Sequence, residues 1–276
     1  MVILLHPYER RSNNLFQHVN IDSYCRDNGI YFYNKFIHAM HSEYPNVGRG
    51  SSLLALFHAL KGPQLLRKAK LIKHLKFTTA SEAASYKEAI LANSLVSCEG
   101  WYFWNDETVR KYREYYQHVF DPNINKRYLT DKYLVKDSTA DLVLGVHIRR
   151  GDYAIHEGGR YFYSDYTYIT KIQAVIQQAD ANWRIIIFTN DDSLDKSLYQ
   201  KRLKNVLFSA GSISDDHYVM AQCDYLMGPP STFTMWASYM GNVKLHHLYS
   251  ADEPVSLADF SDYLLVSAGR WSQGGG

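Results

Sequence analysis

The apolar run Leu142-Val143-Leu144-Gly145-Val146 leads without a break into His147-Ile148-Arg149-Arg150-Gly151-Asp152-Tyr153. A short apolar run that stops at a charged cluster reads as a buried strand with the cluster at its C-terminal end. In open α/β sheets, ligands gather at that end. Further apolar runs follow at residues 184–189, 205–208, 225–227 and 244–248, with helical patterns between them at 165–178, 215–222 and 231–240. Strands alternating with helices predict a parallel sheet and an α/β fold.

The first half is less regular. A strand at 2–5 and a loop at 6–13 lead to a helix at about 15–26, which Asn28-Gly29 ends before a second strand at 30–33. Helical patterns follow at 51–75 and 81–91. An aromatic stretch at 101–104 precedes a helix at 106–119 capped near Asn105. The polar stretch 136–141 is the expected boundary, so the expected domains are 1–138 and 139–276. Two Rossmann-like halves facing a cleft would account for 276 residues.

Composition narrows the function. A net charge of +2 does not suggest a nucleic-acid binder. Cys25, Cys98 and Cys223 are widely spaced, with no zinc or redox pattern, and read as free buried thiols of a reducing compartment. The four apolar residues after Met1 are too few for a signal peptide, and no run is long enough to span a membrane. The expected location is the cytosol, and residues 272–276 read as a mobile tail. The 23 tyrosines fit a sugar-contacting surface or a Tyr-filled core.

The charged cluster carries the chemistry. Arginine presents a planar fork of donors that matches phosphate oxygens and stays charged at any working pH. If strand alternation continues, Arg149 and Arg150 point to opposite sides. One would then face the cleft while the other pairs with Asp152 or supports the loop. Arg149 shares parity with His147 and is the expected phosphate arginine. A surface salt bridge is the plainer reading of the cluster, and Arg150-Gly151-Asp152 as an adhesion tripeptide is disfavoured by the strand that holds it.

Two further groups sit at expected strand ends. Asp191 and Asp192 could accept from a guanine edge or a ribose hydroxyl, or cap the next helix. Ser231, Thr232 and Phe233 open a helix after Gly228-Pro229-Pro230, where a helix N-terminus favours an anion or is simply capped. The chain contains no GxGxxG, P-loop or nucleophile elbow. It also lacks the Asp-x-Asp pair that metal-dependent sugar-nucleotide transferases usually carry. Arginines and backbone N–H groups are then left to neutralise a departing diphosphate.

Together these residues resemble the α-1,2-fucosyltransferase family. The resemblance is close over HIRRGDY and continues through IIIFTNDDSL and DDHYVMAQCDYLMGPPSTFTMWASYMG. It is weaker in NNLFQHV and GWYFWNDETVRKYREYYQHVF of the first half. The chain departs from the family pattern at Ser12, Asn14, Gly228-Pro229-Pro230 and Met235, which bears on the acceptor and less on the donor sugar.

The resemblance implies a GT-B-like fold, with 1–138 as the acceptor-side domain and 139–276 as the GDP-sugar-binding domain, and an inverting, metal-independent transferase that moves L-fucose from GDP-fucose to a glycan, glycolipid or oligosaccharide. The default acceptor is the 2-hydroxyl of a galactoside. A lipid-linked acceptor would bring peripheral membrane association. It implies that Arg149 binds the β-phosphate with His147 near the nucleoside, that Asp191 reads guanine, and that Ser231, Thr232 and Phe233 hold the diphosphate. By analogy with α-1,6-fucosyltransferases, Glu157, next to His156 on a Gly-containing loop, is a candidate general base. Arg11 and Asn13 of the first half are candidates to meet donor or acceptor. No cofactor is implied. The alternatives are another donor such as GDP-mannose, or a non-catalytic GDP-sugar binder.

Overall fold

The structure, a computed structural model, describes residues 1–135 and 140–263. The chain divides into two compact units, Met1–Asn123 and Ile124–Gly276. Most of the polar stretch expected to separate the halves, residues 136–139, lies outside the described residues, as does the 272–276 tail. The division falls earlier than expected because residues 124–135 pack within the second unit. Arg184 donates to the carbonyls of Tyr133 and Val135, and the Thr130 and Tyr218 hydroxyls lie 3.3 Å apart.

The first unit contains β1 (Val2–Leu4), α1 (Arg11–Asp27), β2 (Phe32–Tyr33), α2 (Lys35–His38), α3 (Ser52–Ala59), α4 (Gly62–Lys68) and β3 (Lys73–Phe77). It continues through α5 (Ala83–Leu91), β4 (Val96–Gly100), α6 (Asp106–Lys111) and α7 (Arg113–Val119). Its strands are all parallel, in the order β2-β1-β4-β3.

The unit differs from expectation in its inner strand β4, which the sequence pattern did not reveal, and in three further features. α1 begins at Arg11, because Asn14 closes the entering loop by accepting from the Tyr8 N–H (2.8 Å) and donating to the Arg10 carbonyl (2.9 Å). The helical pattern expected to 75 ends at α4, and its last residues enter β3. The helix expected over 106–119 is broken at Tyr112, which ends α6 and precedes α7.

The second unit contains α8 (Lys126–Leu129), β5 (Leu142–Ile148), α9 (Asp165–Ile176), β6 (Trp183–Thr189), α10 (Lys196–Arg202) and β7 (Val206–Phe208). α11 (Ile213–Met220), β8 (Tyr225–Gly228), α12 (Thr232–Gly241) and β9 (Lys244–His247) complete it. The order β7-β6-β5-β8-β9, all parallel, is doubly wound. β5 and β6 are apolar along nearly their whole length because both faces are covered. Leu144, Val146, Ile148, Ile185 and Ile187 pack with Tyr168, Ile169, Ile172 and Val175 of α9. On the opposite face, Gly145 lies against Leu226, Cys223 and Phe188.

The chain winds outward from β5 through β6 to β7, then crosses back to β8 on the other side of β5. The switch point is therefore the crevice between the C-terminal ends of β5 and β8, where doubly wound sheets bind ligands. Gly228 keeps that crevice tight. A Cβ there would lie 2.6 Å from the His147 carbonyl oxygen and 2.9 Å from the His147 Cβ. Gly228→Ala should therefore force β8 away from β5 and cost about 1–3 kcal/mol, measured by urea unfolding. All three cysteines are free and buried, and burial raises the Cys25 thiol to about 12.

Candidate functional site

The alternation of β5 carries past its end. His147 and Arg149 lie toward α12, whereas Arg150 turns toward α9. The Arg149 guanidinium is held on three sides. Nε and Nη2 donate to the two oxygens of Asp152 (3.3 and 2.9 Å), and Nη1 donates to Ser231 Oγ (3.2 Å). The Tyr153 ring lies 4.5 Å from the guanidinium carbon, a cation–π distance, and the Tyr153 hydroxyl donates to the Pro230 carbonyl (2.5 Å). Of the two alternatives for the second arginine, pairing with Asp152 does not occur, whereas Arg150 does hold the loop after β6 through Asp191. The i,i+3 turn of Gly151–Ala154 brings Asp152 back onto Arg149 itself.

Ser231 is the N-cap of α12, and its Oγ also accepts from the Phe233 N–H (3.2 Å). Arg149 is thereby tied to a helix N-terminus, where backbone donors and the helix dipole favour an anion. Thr232 and Phe233 form the first turn beyond the cap. The Phe233 ring lies between two histidines, with centroids 5.1 Å from His147 and 4.1 Å from His217.

His147 is buried, and its Nδ1 has no hydrogen-bond partner among the described residues. Burial, reinforced by the Arg149 charge, pushes its pKa down to about 3, against the opposing pull of Asp152. The ring is therefore neutral at physiological pH, with an unsatisfied nitrogen at the switch point. Such an atom is costly to bury unless a ligand or water meets it.

Arg150 does different work. It donates through Nη1 to Asp191 (3.2 Å) and through Nη2 to Asp165, the first residue of α9. The Tyr199 hydroxyl also donates to Asp165 (2.8 Å). Burial opposes the Arg150 charge, but its bonds to Asp165 and Asp191 win and raise its pKa. Asp191 accepts from the Ser193 N–H (2.9 Å) and Oγ (2.5 Å) as well as from Arg150, and these bonds lower its pKa. Neither Asp191 nor Asp192 caps a helix. Asp195 does so for α10, accepting from the N–H groups of Ser197 and Leu198. Asp192 is exposed.

Glu157 stands on a loop of three successive left-handed residues, Glu157, Gly158 and Gly159 (φ +47°, +69° and +81°). Only glycine adopts such angles without strain, so Glu157 is held in an uncommon conformation. Its side chain is half-exposed, 3.7 Å from His156 Nε2. Arg11 and Asn13 belong to the first unit, where Arg11 pairs with Glu43 and Asn13 donates to Glu9 (2.9 Å).

Nothing in the sequence singles out Asp165, Tyr199, His217 or Asp216. Asp216 is bonded by Ser209 Oγ, and burial raises its pKa to about 7. The only sequence signal for Asp165 and Asp216 was their place in the first turn of a helix, which acidic residues favour anyway. Among the described residues, no three His, Cys, Asp or Glu side chains gather as a metal site.

No curated protein sequence matches the chain significantly. Solved structures with a similar fold do exist. A mutant of Arabidopsis thaliana FUT1 in complex with GDP superposes with a TM-score of 0.61 at 12% identity, covering 94% of this chain and 72% of that one. Fucosyltransferase NodZ from Bradyrhizobium gives 0.51 at 13% identity, with coverage of 90% and 95%. POFUT1 in complex with GDP-fucose gives 0.50 at 10% identity, with coverage of 92% and 96%. At these identities the likeness speaks for the fold, which is GT-B-like, with two parallel sheets. The sequence model of glycosyl transferase family 11 matches residues 28–254, and the chain, a glycosyltransferase, belongs to that family.

Proposed function

We propose that this protein transfers L-fucose from GDP-fucose to a glycan hydroxyl, with inversion and without a metal ion. The acceptor we propose is the 2-hydroxyl of a galactoside, free or lipid-linked. One observation carries the reading: Arg149, fixed in two-pronged fashion by Asp152, reaches the N-terminus of α12 at the switch point of the second sheet. That arrangement suits a nucleoside diphosphate, and proteins of similar fold have been solved with GDP and GDP-fucose.

In this reading the acceptor oxygen forms a bond to the anomeric carbon as the bond to the β-phosphate oxygen breaks. The bonding pair leaves with GDP, and the acceptor proton passes to a base. Arg149, with Ser231, Thr232 and Phe233 at the helix start, takes up the charge that develops on the β-phosphate. Neutral His147 offers its unsatisfied nitrogen to the nucleoside, and Asp191, oriented by Arg150, reads guanine. Glu157 is assigned as the base. With the strain stored at its φ angle, its loop is suited to change shape around substrate.

The deciding experiment is GDP release from GDP-fucose with a panel of galactosides in the presence of EDTA. Acceptor-dependent release, with an α-1,2-linked product, is expected. Release only after Mn2+ is restored would end the metal-free reading. Preference for GDP-mannose would change the donor, and failure to bind GDP would remove the proposal altogether. Glu157→Gln should lower turnover by about a hundredfold across roughly pH 6–8 while leaving GDP affinity unchanged. Near-normal turnover would exclude Glu157 as the base.

A further inference from the structure

The α3–α4 hairpin of the first unit has an unusual surface. Leu53, Leu56 and Leu60, at spacing i, i+3 and i+7, lie on one side of α3 and are 57–80% exposed. Leu65 on α4 and Leu71 just beyond it are 60% and 70% exposed. Five of the six exposed leucines among the described residues thus fall in this hairpin and the turn that follows it. α3 carries no Asp, Glu, Lys or Arg, and its one histidine, His58, is buried against the Leu4 carbonyl. The hairpin is tight. Lys61 turns it in the left-handed conformation (φ +56°), and Gly62 lies against the Phe57 ring so closely that a Cβ would come within 2.1 Å of it.

Along the chain, the charges flanking these leucines are of one sign. From Pro45 to Ser81 the chain has seven Lys and Arg residues and no Asp or Glu. Lys61, Arg67, Lys68 and Lys70 are exposed. Lys61, Lys68 and Lys70 form no ion pair among the described residues. A hairpin that exposes leucines and carries unpaired lysines matches a bilayer with anionic headgroups, whose hydrocarbon takes the leucines and whose phosphates take the lysines.

A second copy of the chain is a poorer occupant. A self-complementary contact here would bring the hairpin's own cations together, and the hairpin itself carries no acid to offset them. Protein interfaces also favour aromatic anchors and are depleted in lysine, the reverse of this surface.

We infer that the α3–α4 hairpin is a docking surface for an anionic lipid bilayer and holds the protein at the membrane face directly. This inference does not depend on the donor or acceptor assigned above. No described helix is long and apolar enough to cross a membrane, so the inferred contact lies in the plane of the headgroups.

Co-sedimentation with vesicles tests it, using phosphatidylcholine alone and phosphatidylcholine mixed with phosphatidylglycerol. The full chain should pellet with the mixed vesicles, at least about tenfold more tightly than with phosphatidylcholine, and lose that preference in high salt. The variant Leu53→Ser/Leu56→Ser/Leu60→Ser should bind at least about tenfold more weakly. Lys61→Glu/Lys68→Glu/Lys70→Glu, which keeps every leucine, should abolish the preference for the anionic lipid. Both variants must unfold at the wild-type midpoint to be read. Failure of the full chain to pellet, or vesicle binding by the leucine variant equal to wild type, would overturn the inference. Self-association that the leucine changes abolish, without vesicle binding, would overturn it in favour of a contact between copies.

Discussion

Replacing Arg149 with alanine is expected to lower kcat/KM for GDP-fucose by about 100–1,000-fold, the size of effect seen when one oriented donor to a developing negative charge is removed. The expectation rests on how the guanidinium is held. Asp152 engages one edge through Nε and Nη2, Tyr153 underlies the plane, and Nη1 reaches Ser231. An arginine fixed in this way need not reorganise when charge moves onto the phosphate, and that is the main source of electrostatic catalysis. Arg149→Lys should recover only a small part of the loss. A lysine is a point charge on a flexible stem and cannot keep both the carboxylate and the hydroxyl partner. Steady-state rates with the best galactoside, beside the GDP dissociation constant, check both variants. A loss confined to KM would mean that Arg149 binds substrate and transition state equally. Unchanged kcat/KM would remove Arg149 from the phosphate site. The fold should survive the change, because Asp152 is about one-third exposed and can be solvated when its partner leaves.

The second half was far easier to read in the sequence than the first. β5 and β6 are buried on both faces, so their residues form continuous apolar runs that point to a parallel sheet. β3 hides because it is an edge strand. Its Lys73, His74 and Lys76 break the apolar pattern, and it follows directly on leucine-rich helices. The break at Tyr112 has neither Gly nor Pro to announce it. Within the site, the period of two separated Arg149 from Arg150, but the partners of Arg150 escaped. Asp165 is 15 residues away on the first turn of α9 and Asp191 is 41 residues away. Only the pairing of β5 with β6 and the packing of α9 on the sheet bring them together. The run of Asp191, Asp192 and Asp195 shows the limit of local chemistry, since each is a plausible cap by composition. The position of α10 decides that Asp195 is the cap and leaves Asp191 to Arg150.

The neighbouring arginine should fail differently. Arg150→Ala is expected to destabilise the second unit by about 3–5 kcal/mol, the cost of leaving carboxylates behind without their cation. The partners are well shielded, with side-chain exposures of 13% for Arg150, 20% for Asp165 and 14% for Asp191. Water can therefore offset little of the loss. The bond between Arg150 and Asp165 also ties the end of β5 to the start of α9, and the bond to Asp191 ties it to the loop after β6. A folded Arg150→Ala protein should accordingly lose urea stability first and activity only as its site loosens. Adding Asp165→Asn and Asp191→Asn should restore a substantial part of the stability, because the charges left unpaired are removed with their partner. The pH dependence has a definite sign. Asp191 titrates below its ordinary value of 3.8 in the folded protein. Its contribution is therefore complete above that value and disappears as the pH falls through the lower, folded-state pKa. Wild type should lose this stability in acid, whereas Arg150→Ala, with its clamp already broken, should show a shallower decline over the same range. Equal acid sensitivity in the two proteins would show that the Arg150–Asp191 pair contributes nothing to stability, and urea titrations at neutral pH and below pH 4 decide the matter.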